Sequence, residues 1–192
     1  MSTTTKSAAS KKRSSSSSRR SRAPAARGSE TNAVRLLTAD HREVKALFQQ
    51  YQELVDHDAE DEEKQPLAEH ICALLTVHAQ IEEEIFYPAA KEAIKEPDLV
   101  AEAAVEHASA KDLISQIEDS DPSEELYDAK VKVLGEYIEH HVKEEEGQLF
   151  PQTRRAKLDL EGVGKQLMQR KQALMQQVGL SGAGDENGED EG

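Results

Sequence analysis

At 192 residues the chain is long enough for one domain of ordinary size with length left over for tails, and a hydrophobic fraction of 36% cannot furnish a core along all of it. Its 24 Lys and Arg against 38 Asp and Glu give a net charge of −14, which argues against a nucleic-acid-binding body. The single cysteine, Cys72, excludes a disulfide framework or thiolate metal cluster within the chain, as expected of a reducing, cytoplasmic setting, and no apolar run approaches the ~20 residues of a membrane span.

Residues 1–30 hold eight basic side chains and one acid, a net +7 that leaves −21 on the rest of the chain. They contain no Leu, Ile, Val or Phe, so they cannot bury enough surface to offset the entropy of ordering, and we read them as a disordered basic Ser/Arg-rich tail. The segment lacks the apolar stretch of a secretory signal and the apolar face of a transit peptide. A solubilising tail is the favoured reading, and any contact with nucleic acid is confined to this segment.

From 31 to 155 the period is helical. Val34, Leu37, His41, Val44, Phe48, Tyr51 and Val55 recur at spacings of three and four, as do Leu67, Ile71, Leu74, His78, Ile81 and Ile85. Val100, Ala103, His107, Ala110, Ile114 and Ile117 form a third stripe, and Tyr127, Val131, Leu134, Ile138, His141 and Glu145 a fourth. Pro66 and Pro97 suit first helical turns, the acidic stretch 56–64 separates the first two stripes, and Ser120-Asp121-Pro122 separates the last two. Short connections between four helices predict an all-α, antiparallel up-down four-helix bundle. A fifth amphipathic helix is expected within 156–178, packed on the bundle or on a second copy, followed by an acidic disordered tail at 179–192.

Each stripe carries a histidine where an apolar residue is expected, and two of them are followed four residues later by a glutamate: His78/Glu82 and His141/Glu145. Positions i and i+4 lie on one helix face about 6 Å apart along the axis, so each pair offers an imidazole and a carboxylate to one interior point. A lone histidine on an apolar face is more often a satisfied core residue. Four, with two carboxylates, must pair among themselves or bind a cation, because unpaired ionisable groups in a core cost several kcal/mol each. The chain also repeats itself. His78-Ala-Gln-Ile-Glu-Glu-Glu-Ile-Phe-Tyr-Pro88 matches His141-Val-Lys-Glu-Glu-Glu-Gly-Gln-Leu-Phe-Pro151, and Asp40-His41 with Leu47-Phe48 matches Glu106-His107 with Leu113-Ile114. A duplicated helix pair with approximate twofold symmetry follows, and with it two metals, one per half.

These residues resemble the hemerythrin family, in particular its HHE cation-binding proteins, over about residues 32–155. The resemblance implies a non-haem di-iron centre, oxo or hydroxo bridged, with His41, His78, His107 and His141 as terminal ligands and Glu82 and Glu145 as bridging carboxylates. Oxygen-carrying members have a further ligand histidine four residues after the one matching His107, and Lys111 stands there, which puts reversible oxygen carriage in doubt. Imidazole with carboxylate and no thiolate independently suits Fe, Mn or Zn, and none of the seven histidines has the Glu-x-x-His spacing of ferritin-like sites. Two six-coordinate ions offer about 12 positions, of which four His, two bridging Glu and one bridging oxygen fill about ten, leaving roughly one open position on each.

Open positions suit small ligands such as O2, NO or peroxide. The expected function is binding of such a ligand in oxidative or nitrosative stress or in iron handling, with catalase- or peroxidase-like removal of hydroperoxide as the enzymatic alternative. Among the remaining residues, His57, His70 and His140 are read as structure or surface, Cys72 as a small core residue and Tyr137 as core packing, with a hydrogen bond to a metal-bound oxygen as its lesser alternative. Glu83 and Glu146 are read as solvated helix face, with a supporting role behind the ligands left open.

Overall fold

A computed structural model describes Met1 and residues 32–180. The expectations for both tails fall almost wholly outside the described residues. Within them every regular element is helical.

Helix α1 (Ala33–Asp56) is started by Asn32, whose side-chain oxygen accepts the Arg35 N–H at 3.3 Å and satisfies one of the unpaired first-turn donors. Helix α2 (Asp61–Ile81) opens on Asp61, Glu62 and Glu63, three acids at the positive end of the helix dipole. It therefore starts five residues before Pro66, which lies on the exposed side and costs the ladder one bond near its end. Pro97 takes the first position of α4 (Pro97–Glu118) as its sequence suggests. The next connection is closed by Asp121, whose carboxylate accepts from both the backbone N–H and the hydroxyl of Ser123, and α5 (Tyr127–Glu144) follows.

Two helices do not end where their α-helical hydrogen bonding ends. After α2 comes a π-helical turn, Glu82–Phe86, and then α3 (Tyr87–Ala93); after α5 comes a second, Glu145–Leu149, and then α6 (Phe150–Arg155). The cause is visible in both repeats. Pro88 and Pro151 have no N–H to return to the carbonyl four residues back and crowd it as well, so the ladder widens just before them. The Tyr87 N–H reaches Glu82 O and the Phe150 N–H reaches Glu145 O, five residues back. Each widened turn begins at the glutamate of a His-x-x-x-Glu motif.

The pairs α1–α2 and α4–α5 pack side by side, and α1 against α5 with α2 against α4 closes the bundle. The fifth helix, α7 (Leu160–Gln177), lies on α1, α2 and the first π turn, which settles its place on the bundle. Asp159 caps its start by accepting from the Gly162 N–H at 3.0 Å, and Gly179 closes it at φ +73°, a conformation that favours glycine. The apolar interior forms two clusters. One holds Leu37, Ile81, Phe86, Leu149, Phe150 and Leu167; the other holds Val44, Ile71, Cys72, Leu74, Ile114 and Leu134. The four bundle histidines lie in the layer between them, since each stripe passes from one cluster to the other through its histidine.

Candidate metal centre

The structure brings all six sequence-predicted residues together in that layer. His41, His78, His107, His141, Glu82 and Glu145 are buried, with Glu82 at 0% and Glu145 at 2% exposure. The Nε2 atoms of His41 and His78 are 3.2 Å apart, and those of His107 and His141 are likewise 3.2 Å apart, so the imidazoles pair within each half. The carboxylates join the halves. Glu82 Oε2 is 3.2 Å from His78 Nε2 and 3.4 Å from His107 Nε2, while Glu145 Oε2 is 3.4 Å from His41 Nε2 and 3.7 Å from His141 Nε2. Donors bound to one ion at about 2.1 Å and at right angles lie about 3 Å apart, so these spacings are those of coordination-polyhedron edges.

Every imidazole is held from behind. The Nδ1–H of His41 donates to Glu146 at 3.0 Å, that of His78 to Asp40 at 3.3 Å, that of His107 to Glu83 at 3.1 Å and that of His141 to Glu106 at 2.8 Å. A carboxylate acceptor on Nδ1 fixes the tautomer that presents the Nε2 lone pair inward, and it makes that nitrogen a better ligand. The four supports obey the internal repeat, Asp40 matching Glu106 and Glu83 matching Glu146. Of the two readings of Glu83 and Glu146, solvated face gives way to the supporting role behind the imidazoles. Both are only partly exposed: Glu146 bonds the buried His41 ring, Glu83 bonds the buried His107 ring while Lys111 grips both of its oxygens, and their repetition beside Glu82 and Glu145 was the available signal.

Sequence reasoning also missed Tyr87. It was matched to Phe150 as an aromatic, yet its hydroxyl donates to Glu145 Oε1 at 3.0 Å and lies 3.1 Å from His107 Nε2 and 3.4 Å from Glu82 Oε2. The π turn explains its aim, because residues five apart share a face there. Phe150 instead stacks on His41 with centroids 5.8 Å apart and planes 6° apart. The expectation that Tyr137 packs in the core is overturned. Tyr137 is 49% exposed, because Ile138 and His141 take the inward face of α5. His140 is exposed and Cys72 buried, as read from the helical period.

Charge couples these groups. In the metal-free chain burial disfavours the His78 imidazolium, but Glu82 and Asp40 outweigh it and hold His78 up to about 10. His107 is raised by Glu82, Glu145 and Glu83 against the same burial penalty. Burial works against the Glu82 carboxylate as well, and His78 and His107 nonetheless hold it well below the usual range. Burial and the two neighbouring carboxylates push the Tyr87 phenol well above its ordinary value. Even so, Glu82 Oε1 and Glu145 Oε2 are buried without a hydrogen-bond partner among the described residues. Orphaned carboxylate oxygens amid inward-facing imidazoles are the chemistry of a cation site, and the donor set fits hard or borderline metals.

Beside the four histidines lies a cavity of about 20 Å³ walled by Val44, Leu75, Ala110, Ile114, Ile138 and Val142, which is room for one water-sized molecule. Lys111 lines its edge and turns outward to Glu83.

The hemerythrin HHE cation-binding domain model matches residues 32–153, which includes all six buried donors. The chain belongs to the hemerythrin HHE cation-binding domain family. This HHE domain is therefore a metal-binding module. It is similar to the crystal structure of a hemerythrin HHE cation-binding domain-containing protein from Mycobacterium kansasii, with a TM-score of 0.64 and 26% identity over 76% of this chain and 88% of that one. It is also 31% identical over 121 residues to a DNA nickase of Nostoc sp., a match that covers 63% of this chain and 33% of that protein. The chain thus spans about one third of that relative. No helix among the described residues is long and apolar enough to cross a membrane.

Proposed function

We propose that this HHE domain holds two non-haem irons, one per half, and uses them to bind O2, NO or peroxide in oxidative or nitrosative stress or in iron handling. The observation that carries the reading is the pair of orphaned buried carboxylate oxygens between two imidazole pairs. His41 and His78 would hold one iron and His107 and His141 the other, with Glu82 and Glu145 reaching both. Iron in that place supplies open coordination positions and reversible one-electron chemistry.

The chain's own residues set what reaches it. The small apolar-walled cavity beside the histidines has the scale of a small ligand. Asp40, Glu83, Glu106 and Glu146 keep the four rings in the ligating orientation. Lys111, where an oxygen carrier's additional histidine would stand, contributes its charge to Glu83 instead of a neutral nitrogen to the site.

A second reading, catalase-like turnover of peroxide, is favoured by Tyr87, whose hydroxyl stands within hydrogen-bonding distance of both carboxylates and can hold or pass a proton in one half. The likeness to a DNA nickase supports no nucleic-acid reading of the body, which is strongly acidic. The test is iron content with an optical spectrum before and after peroxide. Two irons per chain with a stable new ligand band support binding, two irons with evolved oxygen support turnover, and no iron or a single zinc overturns both.

A further inference from the structure

Helix α7 carries none of the metal-site residues, yet it reaches the centre. Lys171 Nζ donates to Asp40 Oδ1 at 2.7 Å, and the other oxygen of the same carboxylate accepts from His78 Nδ1 at 3.3 Å. Asp40 is buried and Lys171 mostly so, at 10% and 22% side-chain exposure, so the contact is not a solvent-bathed surface pair. The other half has an arrangement of the same kind from a different source. Lys111 of α4 donates to both Glu83 oxygens at 2.7 and 2.6 Å, and Glu83 in turn holds His107 Nδ1. Neither Glu146 on His41 nor Glu106 on His141 has a lysine partner among the described residues. Each half therefore has one imidazole whose supporting carboxylate is clamped by a lysine and one whose support is not.

We propose that Lys171 is a positioning residue for His78, so that α7 is a working part of the His41/His78 half of the metal site, while Lys111 does the same for His107 from within the bundle. The physical reason lies in the position of Asp40. A short, buried carboxylate held from two sides has one orientation, and that orientation puts the His78 ring where its Nε2 meets Glu82 and His41. With the ammonium removed, a nearly buried anion keeps a single neutral donor and must turn toward other partners or water, taking its hold off the ring. Loss of such an outer partner costs roughly 10–100-fold in metal affinity.

The neighbouring residue supplies an internal control. Arg170 also fastens α7, through Nε and Nη2 to the two Glu84 oxygens at 2.6 and 2.9 Å, but Glu84 touches no imidazole. Removing Arg170 loosens the same helix without breaking the chain of contacts to His78.

The inference rests on the two-metal reading, and the experiment separates them. The full chain and its Lys171→Met, Lys171→Arg, Arg170→Met and Lys111→Met variants are loaded with ferrous iron without oxygen and then challenged with a chelator, with helicity checked by circular dichroism. In Lys171→Met one of the two irons should leave about tenfold faster than from the parent; Lys171→Arg and Arg170→Met should stay near the parent. Lys111→Met should lose one iron faster, and the Lys171→Met/Lys111→Met double variant both. Equal release from Lys171→Met and Arg170→Met would overturn the positioning role and leave α7 a simple docking helix. A parent that takes up no metal would overturn the two-metal reading and the inference with it.

Discussion

The helix pair α1–α2 offers His41, His78 and Glu82, and the pair α4–α5 offers His107, His141 and Glu145 at matching places, each imidazole backed by a carboxylate at a matching place. The covering residues differ. Phe150 lies flat on His41, whereas Tyr87, its counterpart in the repeat, sets a hydroxyl among His107, Glu82 and Glu145. The lysine clamps differ too, one from a helix outside the bundle and one from inside it. The duplication thus keeps the inward-facing imidazoles and carboxylates and lets the surroundings drift, so on the proposed function the halves should hold metal alike and treat a bound ligand differently.

The largest effects should come from breaking what the halves share. Glu145→Ala removes a carboxylate that faces both imidazole pairs and should take bound iron from two per chain to below one, while His78→Ala, which touches one half, should leave about one. Circular dichroism should show the helices intact in both, and full iron retention in both would contradict the assignment.

The pH response of the metal-free chain should be the next largest. His78 titrates higher folded than its ordinary 6.5, at about 10, so the stability it contributes is fully present below about pH 6.5 and fades as pH rises through 10. Glu82 and Asp40, held below their ordinary range, act with the opposite sign and lose their contribution in acid. Thermal melts of the metal-free chain should therefore weaken from pH 7 to pH 10, and iron should suppress that loss by replacing the protons. A metal-free melt that does not change over this range would show that His78 is not paired as described.

Removing the asymmetry is a finer test. Tyr87→Phe makes the covers alike and should leave two irons bound with a changed optical spectrum, at a cost of about 1 kcal/mol in the metal-free chain for the lost hydrogen bond. An unchanged spectrum would mean that the hydroxyl does not sense the metal. The smallest effect is expected at Tyr137→Ser, a half-exposed site away from both carboxylates, where stability should move by no more than about 0.5 kcal/mol with iron content unchanged.

Much of this was legible in the sequence because periodicity and chemistry coincided. Apolar stripes at spacings of three and four gave the helices, and a histidine interrupting each stripe marked a layer, since burying four imidazoles without a purpose is expensive. Less legible was anything that depended on departures from the ideal helix. The π turns at Glu82 and Glu145 shift every later residue round the axis, so Tyr87 enters the site although a 3.6-residue wheel would not aim it there. Pro88 and Pro151 announced that shift, but a proline after an aromatic reads first as a helix end. For Glu83 and Glu146 a supporting role stayed open beside the solvated one, because acids on a half-exposed face look alike in sequence whether or not they hold a ring. Lys171 could not be placed at all, because its contact to Asp40 spans 131 positions and depends on where α7 docks.

The central claim is that two irons share Glu82 and Glu145. Magnetic susceptibility of the fully loaded ferric protein tests it most directly. A pair that shares both carboxylates together with an oxo or hydroxo bridge should show a moment far below that of two independent ferric ions and no isolated ferric resonance. The full moment of two separate ions would contradict the shared centre.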